Sequence, residues 1–253
     1  MKYSITIRFY EELNDFLPKA MRKRDIDYSF PGRRSIKDLV ESMGVPHVEV
    51  DLILVNGESV DFGYIVRAGD RISVYPVFES FSIKEVTHLR EKPLRDIKFV
   101  LDVHLGKLAR RMRLLGLDTD FRMDRDDGEL ADISAKTNRI LLTRDVELLK
   151  RKQIERGIFV RNTDPDKQII EIINKFDLRS FIKPFERCIE CNGKINKLNY
   201  EDNIGLIKEK VPPGVLSWCT EFYSCSSCDK IYWKGSHYDK LVKIINNTIY
   251  PDI

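Results

Sequence analysis

Along Lys2–Tyr10 the chain alternates strictly, with Tyr3, Ile5, Ile7 and Phe9 on one side and Ser4, Thr6 and Arg8 on the other. Period two predicts a half-buried strand rather than the continuous apolar stretch of a signal peptide. Phe30-Pro31-Gly32 reads as a turn. Ser35–Met43 reads as a helix, with Ser35 as N-cap, Asp38 in the first turn and Gly44 closing it. Asp51–Val55 is a short apolar strand, and Asn56-Gly57 is a strong hairpin signal. A turn at Ala68-Gly69-Asp70 leads into alternation over Arg71–Val77. Residues 1–80 therefore read as strand, strand, helix, strand, strand.

The pattern changes after a polar connector at 81–96, which contains Pro93 and in which Phe81 and Ile83 could pack. Ile97–Val103 is almost continuously apolar, as in a strand buried on both faces of a parallel sheet. Leu105–Leu115 follows with Leu105, Leu108, Met112 and Leu115 on one helical stripe. Helices are expected at Glu129–Thr137, Val146–Gln153 and Asp166–Phe176, and strands at Arg139–Thr143 and Ile158–Arg161. That alternation over 97–180 predicts an α/β/α sandwich around a parallel sheet. Residues 181–253 hold the cysteines and end on a helical stretch, Tyr238–Asn246.

Composition narrows this little: 253 residues, 42% hydrophobic and 33% charged, are ordinary for globular domains. No apolar run reaches the roughly 18 residues of a membrane span. The expectation is a cytoplasmic protein without a membrane role. Charge by segment says more. Residues 1–80 carry a net −2, 97–180 a net +3 and 181–253 a net +1. A total of +3 excludes a simple polycationic nucleic-acid binder, so any such role rests on local placement.

Three aspartates fall where open parallel sheets keep their chemistry, at the carboxyl ends of strands. Asp102 closes the first buried strand, Asp145 closes the second, and Asp127 opens the helix between them. Converging carboxylates repel one another until a hard cation such as Mg2+ or Mn2+ neutralises them. Each has a plainer alternative. Asp145 could cap the helix at Val146, and Asp126 with Glu129 matches a capping box. Lys107, Arg110 and Arg111 share one helical face beside a helix N-terminus that favours phosphate, and Arg144 adjoins Asp145. A solvated charged face would look the same.

All five cysteines lie in the last third. Cys188-Ile-Glu-Cys191 and Cys225-Ser-Ser-Cys228 are two knuckle patterns, each followed by residues that tolerate positive φ. Four thiolates predict a closed, structural Zn2+ site, against a redox reading of either pair alone. Cys219 reads as a buried apolar group, with His237 a conceivable but unneeded ligand. Trp233 and Lys234, beside Tyr232 and His237, could stack and hold RNA or simply pack the zinc module.

Two sets of phrases carry a resemblance. V-N-G-E and G-D-R-I-S-V-Y-P resemble the β-grasp sulfur carriers of the ubiquitin superfamily. Those carriers need a C-terminal Gly-Gly, whereas here Pro76-Val77-Phe78-Glu79-Ser80 follows and the chain ends Pro251-Asp252-Ile253. Sulfur carriage is therefore not expected, and a docking or packing module is. K-F-V-L-D-V-H-L-G-K-L-A-R, D-D-G-E-L, R-I-L-L-T-R-D and Y-W-K-G-S-H resemble the Mut-seven C-terminal RNase family, a PIN-like nuclease domain with a C-terminal zinc ribbon. The ubiquitin-like module looks like the one often fused to that family.

The resemblance implies a metal-dependent ribonuclease with Asp102, Asp127 and Asp145 as catalytic acids, Asp126 rivalling Asp127. Thr143 would be a neighbouring hydroxyl, and no fourth acid matches securely: Asp164 and Asp166 follow a strand, with Asp166 read as a helix cap. Substrate positioning falls to Lys107, Arg110, Arg111, Arg144, Trp233 and Lys234. The implied partners are RNA, with tRNA or another structured RNA as candidates, and a protein on the ubiquitin-like module. A non-catalytic RNA-binding or assembly protein is the alternative.

Overall fold

Strand β1 (Lys2–Phe9) buries Ile5, Ile7 and Phe9 on one face, as its alternation requires. In the computed structural model, which describes residues 2–76 and 97–249, it pairs antiparallel with β2 (Ile26–Pro31). Helix α1 (Ile36–Ser42) starts at Ser35, whose hydroxyl accepts the Asp38 N–H at 3.1 Å. It ends before Gly44, which sits at φ 101°. Strands β3 (Val50–Val55) and β4 (Glu58–Ser59) form a hairpin through Asn56 and Gly57, both at positive φ. Strand β5 (Arg71–Pro76) runs parallel to β1 and antiparallel to β3. The five-stranded order β2-β1-β5-β3-β4 with α1 across it is the β-grasp arrangement. The loop between β1 and β2 holds two 3-10 turns, Glu11–Phe16 and Lys19–Met21, that the apolar pattern did not announce. The expected connector at 81–96 lies outside the described residues, as does the end of the strand expected to reach Val77.

Across residues 98–175 the elements are β6 (Lys98–Leu101), α2 (Gly106–Leu114), β7 (Asp118–Asp120), α3 (Asp127–Thr137), β8 (Ile140–Thr143), α4 (Val146–Leu149), β9 (Gly157–Phe159) and α5 (Pro165–Lys175). Phe99, Val100 and Leu101 are fully buried, as their apolar run predicts. The strand stops there, because Asp102 turns the chain and its carbonyl accepts the Leu105 N–H at 2.9 Å. Helix α2 buries Leu108 and Met112 and closes on Gly116, at φ 83°, with Leu117 N–H reaching back to Met112 O. A Cβ on Gly116 would lie 2.1 Å from Lys183 O, so the position excludes any other residue. Strand β6 pairs parallel with β7, and β8 pairs parallel with β9.

Two expectations need correction, and one element was missed. Helix α4 is one turn, not Val146–Gln153, because Arg151 and Ile154 close tight turns onto Leu148 O and Arg151 O. Asp164, not Asp166, caps α5; its carboxylate accepts the N–H groups of Asp166 and Lys167. Strand β7 was not foreseen at all, since its sequence is Asp-Thr-Asp.

The remainder comprises β10 (Ile195–Lys197), α6 (Ile204–Lys210), α7 (Pro213–Leu216), β11 (Tyr223–Cys225), β12 (Ile231–Tyr232) and α8 (Tyr238–Ile249). The three strands form a small antiparallel sheet, and α6 and α7 fill the loop between the cysteine pairs. Ile207, Val211, Phe222, Ile231 and the buried Cys219 make its core. The chain divides into two compact units: Met1–Ile97 with Asp127–Phe159, and Lys98–Asp126 with Val160–Ile253. Among the described residues no helix is long and apolar enough to cross a membrane.

Candidate metal centre and acidic site

Two tight turns of the same design present the four thiols. In the first, Cys188 N–H donates to Gly193 O and Asn192 N–H donates to Cys188 O. In the second, Cys225 N–H donates to Lys230 O and Asp229 N–H to Cys225 O. Asn192 and Asp229 take positive φ, 72° and 53°, as the knuckle pattern predicts. Gly193 is needed for a different reason: a Cβ there would lie 2.6 Å from Cys225 Sγ. All four Sγ atoms lie within 4.8 Å of one another, with Cys188–Cys228 at 3.7 Å and Cys191–Cys225 at 3.3 Å. Tetrahedral bonds of about 2.3 Å place sulfurs about 3.8 Å apart, so the cluster fits one such ion. Among the described residues it is the group of three or more cysteine, histidine or carboxylate side chains close enough to share a metal.

The surroundings favour a thiolate at Cys188. Burial opposes its ionisation, but the Tyr232 hydroxyl at 3.0 Å, with the Cys191 and Glu190 amides, outweighs burial and brings the thiol down to about 7. Tyr232 pays for this donation: burial first, then Cys188, pushes its phenol well above the ordinary range.

The first knuckle is wired to β7 by side-chain bonds that the sequence pattern did not announce. Asn192 is used twice, Oδ1 accepting the Thr119 N–H and Nδ2 donating to Asp118, both at 2.9 Å. Arg187 pairs with Asp118 at 3.0 Å. Arg113, 2% exposed, donates to four carbonyls: Thr119 and Phe121 beside the strand, and Ile189 and Glu190 inside the knuckle. Burial lowers its pKa, opposed first by Asp120. The one available signal was an arginine interrupting the apolar run Met112–Leu115.

The expected acids occupy different surroundings. Asp102 is buried, 5% exposed, at the carboxyl end of β6 and just ahead of α2. Asp127 opens α3, half exposed, with Arg151 at 3.5 Å. Asp145 is the N-cap of α4: its Oδ1 accepts from Glu147 N at 2.7 Å and Leu148 N at 3.3 Å. Thr143 is fully buried, and its hydroxyl accepts the Asp145 N–H at 2.9 Å. Asp102 stands in one compact unit and Asp127, Thr143 and Asp145 in the other.

The basic residues divide similarly. Lys107 is exposed on the first turn of α2. Arg110 meets Glu190 at 2.6 Å, and Arg111 meets Asp166 on α5 at 2.8 Å. Arg144 lies over the Phe159 ring at 5.8 Å. Trp233 packs half-buried against the core of the small sheet, and Lys234 is exposed beside it.

With this geometry in view, the comparisons are specific. A family model described as the Mut7-C RNAse domain matches residues 97–245, and one described as Mut7-C ubiquitin matches residues 2–82. Neither the search of curated proteins nor that of solved structures finds a match.

Proposed function

The chain belongs to the Mut7-C RNase family, and from that premise we propose that it is a metal-dependent ribonuclease hydrolysing RNA phosphodiester bonds. The observation that carries the proposal is Asp102, a buried carboxylate at the carboxyl end of a buried strand, where open α/β sheets keep their chemistry. Asp102, Asp127 and Asp145 would hold Mg2+ or Mn2+. When bound, that ion would supply Lewis-acid stabilisation of charge on the phosphoryl oxygens and orientation of the attacking water. Asp145 is fixed by its cap bonds and by the Thr143 hydroxyl on its own N–H. A carboxylate has a second oxygen, so capping with Oδ1 is compatible with a ligand role. Lys107, Arg110, Arg111, Arg144, Trp233 and Lys234 would position the strand, with tRNA or another structured RNA as candidate substrates. The four cysteines would hold a structural Zn2+, closed to substrate because every position is a thiolate. The ubiquitin-like domain would serve a protein partner.

Asp145 allows the test to separate structure from chemistry. Asparagine caps helices as well as aspartate, so Asp145→Asn should keep stability within about 0.5 kcal/mol, while Asp145→Ala loses about 0.5–2 kcal/mol. Under the proposal, Asp145→Asn also loses Mn2+-dependent cleavage by about a hundredfold or more. Full cleavage by Asp145→Asn would sink it. The cap at Asp145 and the Arg151 partner of Asp127 favour a second reading, in which the acids are structural and the protein binds RNA without turnover. Tight RNA binding with no cleavage under either metal would establish that reading.

A further inference from the structure

The small sheet carries a groove lined by none of the proposed metal-holding acids. It has a volume of about 850 Å³, in the range of ligand clefts, and lies between the knuckles, the turn after α7 and the start of α8. Both tryptophans of the chain line it: Trp218, 57% exposed, and Trp233. Tyr232 and Tyr238 add faces to the wall, each with a lysine 5.8 Å from its ring centroid, Lys230 and Lys234 respectively.

An exposed tryptophan in an aromatic wall is poor economy for packing alone, because an exposed apolar face gains nothing from water. The rim gives the sign of the occupant. Lys197 and Lys234 share one carboxylate, Glu221, at 2.7 and 3.7 Å. Lys230 and Arg110 likewise share Glu190, at 3.1 and 2.6 Å. Two cations per carboxylate leave each cluster net positive, and Glu186 is the one acid among the lining residues, against Lys197, Lys230, Lys234 and Arg187. The second cluster also links the groove to the exposed basic residues of α2. Flat apolar faces below and cations at the edge match a stacked base and its phosphate. In a duplex the base faces are already covered, so only unpaired nucleotides can use such a wall.

We propose that this groove binds unpaired RNA nucleotides, bases stacked on Trp218 and Trp233 and phosphates held by Lys234 and Lys230. It deepens the ribonuclease reading and rests on it for the choice of RNA, by naming single-stranded segments as what the cysteine module recognises.

The two tryptophans make the test direct, since all indole emission of the chain arises in the groove. The full chain, metal-loaded at its cysteines and with Mg2+ and Mn2+ withheld, is titrated with a short unpaired oligouridylate and with a blunt RNA duplex of equal length. The expected result is saturable quenching by the unpaired strand and little by the duplex. Trp218→Ala, at an exposed site, weakens binding about tenfold, the loss of one base–aromatic stack. Lys234→Glu weakens it too and flattens its salt dependence. Equal response to duplex, absence of quenching, or unchanged affinity in both variants would overturn the proposal. So would saturable quenching by an apolar helical peptide without any by RNA, which would make the groove a protein-docking surface. Cleavage is read separately with Mn2+. Groove binding without cleavage removes the ribonuclease reading and keeps the groove. Cleavage with unchanged KM in both variants removes the groove and keeps the ribonuclease.

Discussion

At the scale of single residues, Arg113 carries more than any foreseen site residue. Its guanidinium satisfies carbonyls on both β7 and the first cysteine knuckle, and no other side chain offers five donors in a rigid fork. Its burial costs solvation that those four acceptors and the nearby Asp120 charge return. Arg113→Met should therefore cost about 3–5 kcal/mol, because it strands several buried carbonyls at once. Arg113→Lys should recover only part of this, since an ammonium cannot reach both pairs. Urea unfolding of the metal-loaded protein, read by midpoint and slope, measures both. A loss below about 1 kcal/mol for the methionine variant would show that water replaces the guanidinium. Residues such as this are hard to read from sequence. An arginine in an apolar stripe looks like a surface residue until the carbonyls it serves, two of them more than 70 positions away, are known.

At the scale of elements, legibility followed length and alternation. Strand β1, helix α1 with its Ser35 cap, the Asn56-Gly57 hairpin and the buried β6 are local patterns, and each stands where the pattern puts it. The knuckles were equally legible, because C-x-x-C geometry is set within a few residues. Strand β7 was not, since Thr119 is its one buried side chain and its order comes from parallel pairing and from Asn192. The short α4 was over-read because its apolar spacing continues to Ile154 after the helical hydrogen bonds have stopped. The 3-10 turn His47–Glu49, before β3, was also missed, and it holds β9. Glu49 is fully buried and its carboxylate accepts the Phe159 N–H; His47 Nε2 lies 3.0 Å from Ile154 O; Phe16 meets the Phe159 ring edge-on. The ubiquitin-like domain thus spends part of its surface on its own chain. Glu49→Ala should cost about 1–3 kcal/mol by leaving that amide unsatisfied, and Glu49→Gln, which keeps an oxygen acceptor, clearly less. Exchange of the Phe159 amide should accelerate in the same order. Equal protection in both variants would show that Glu49 does not hold the strand.

At the scale of the whole molecule, two units are each built from pieces distant in sequence. In one, the ubiquitin-like domain is bonded to Ile154–Phe159; in the other, the cysteine module is bonded to β7 through Asn192, Arg187 and Arg113. The cysteine module is therefore a structural member of its unit rather than an appendage. Loss of the Zn2+ proposed for it should loosen more than the knuckles. Without a cation no metal bonds tie the four sulfurs to one another, and the first knuckle, released, carries away the Asn192 and Glu190 groups that hold Thr119 and Arg113. Chelation should release one Zn2+ per chain and accelerate amide exchange at Thr119. The Phe159 amide, held within the other unit by Glu49, should keep its protection. Cys191→Ser should reproduce the pattern without chelator. A metal loss that opens both amides equally would mean that the molecule unfolds as one cooperative body, and one that opens neither would mean that the knuckle bonds outlast the ion.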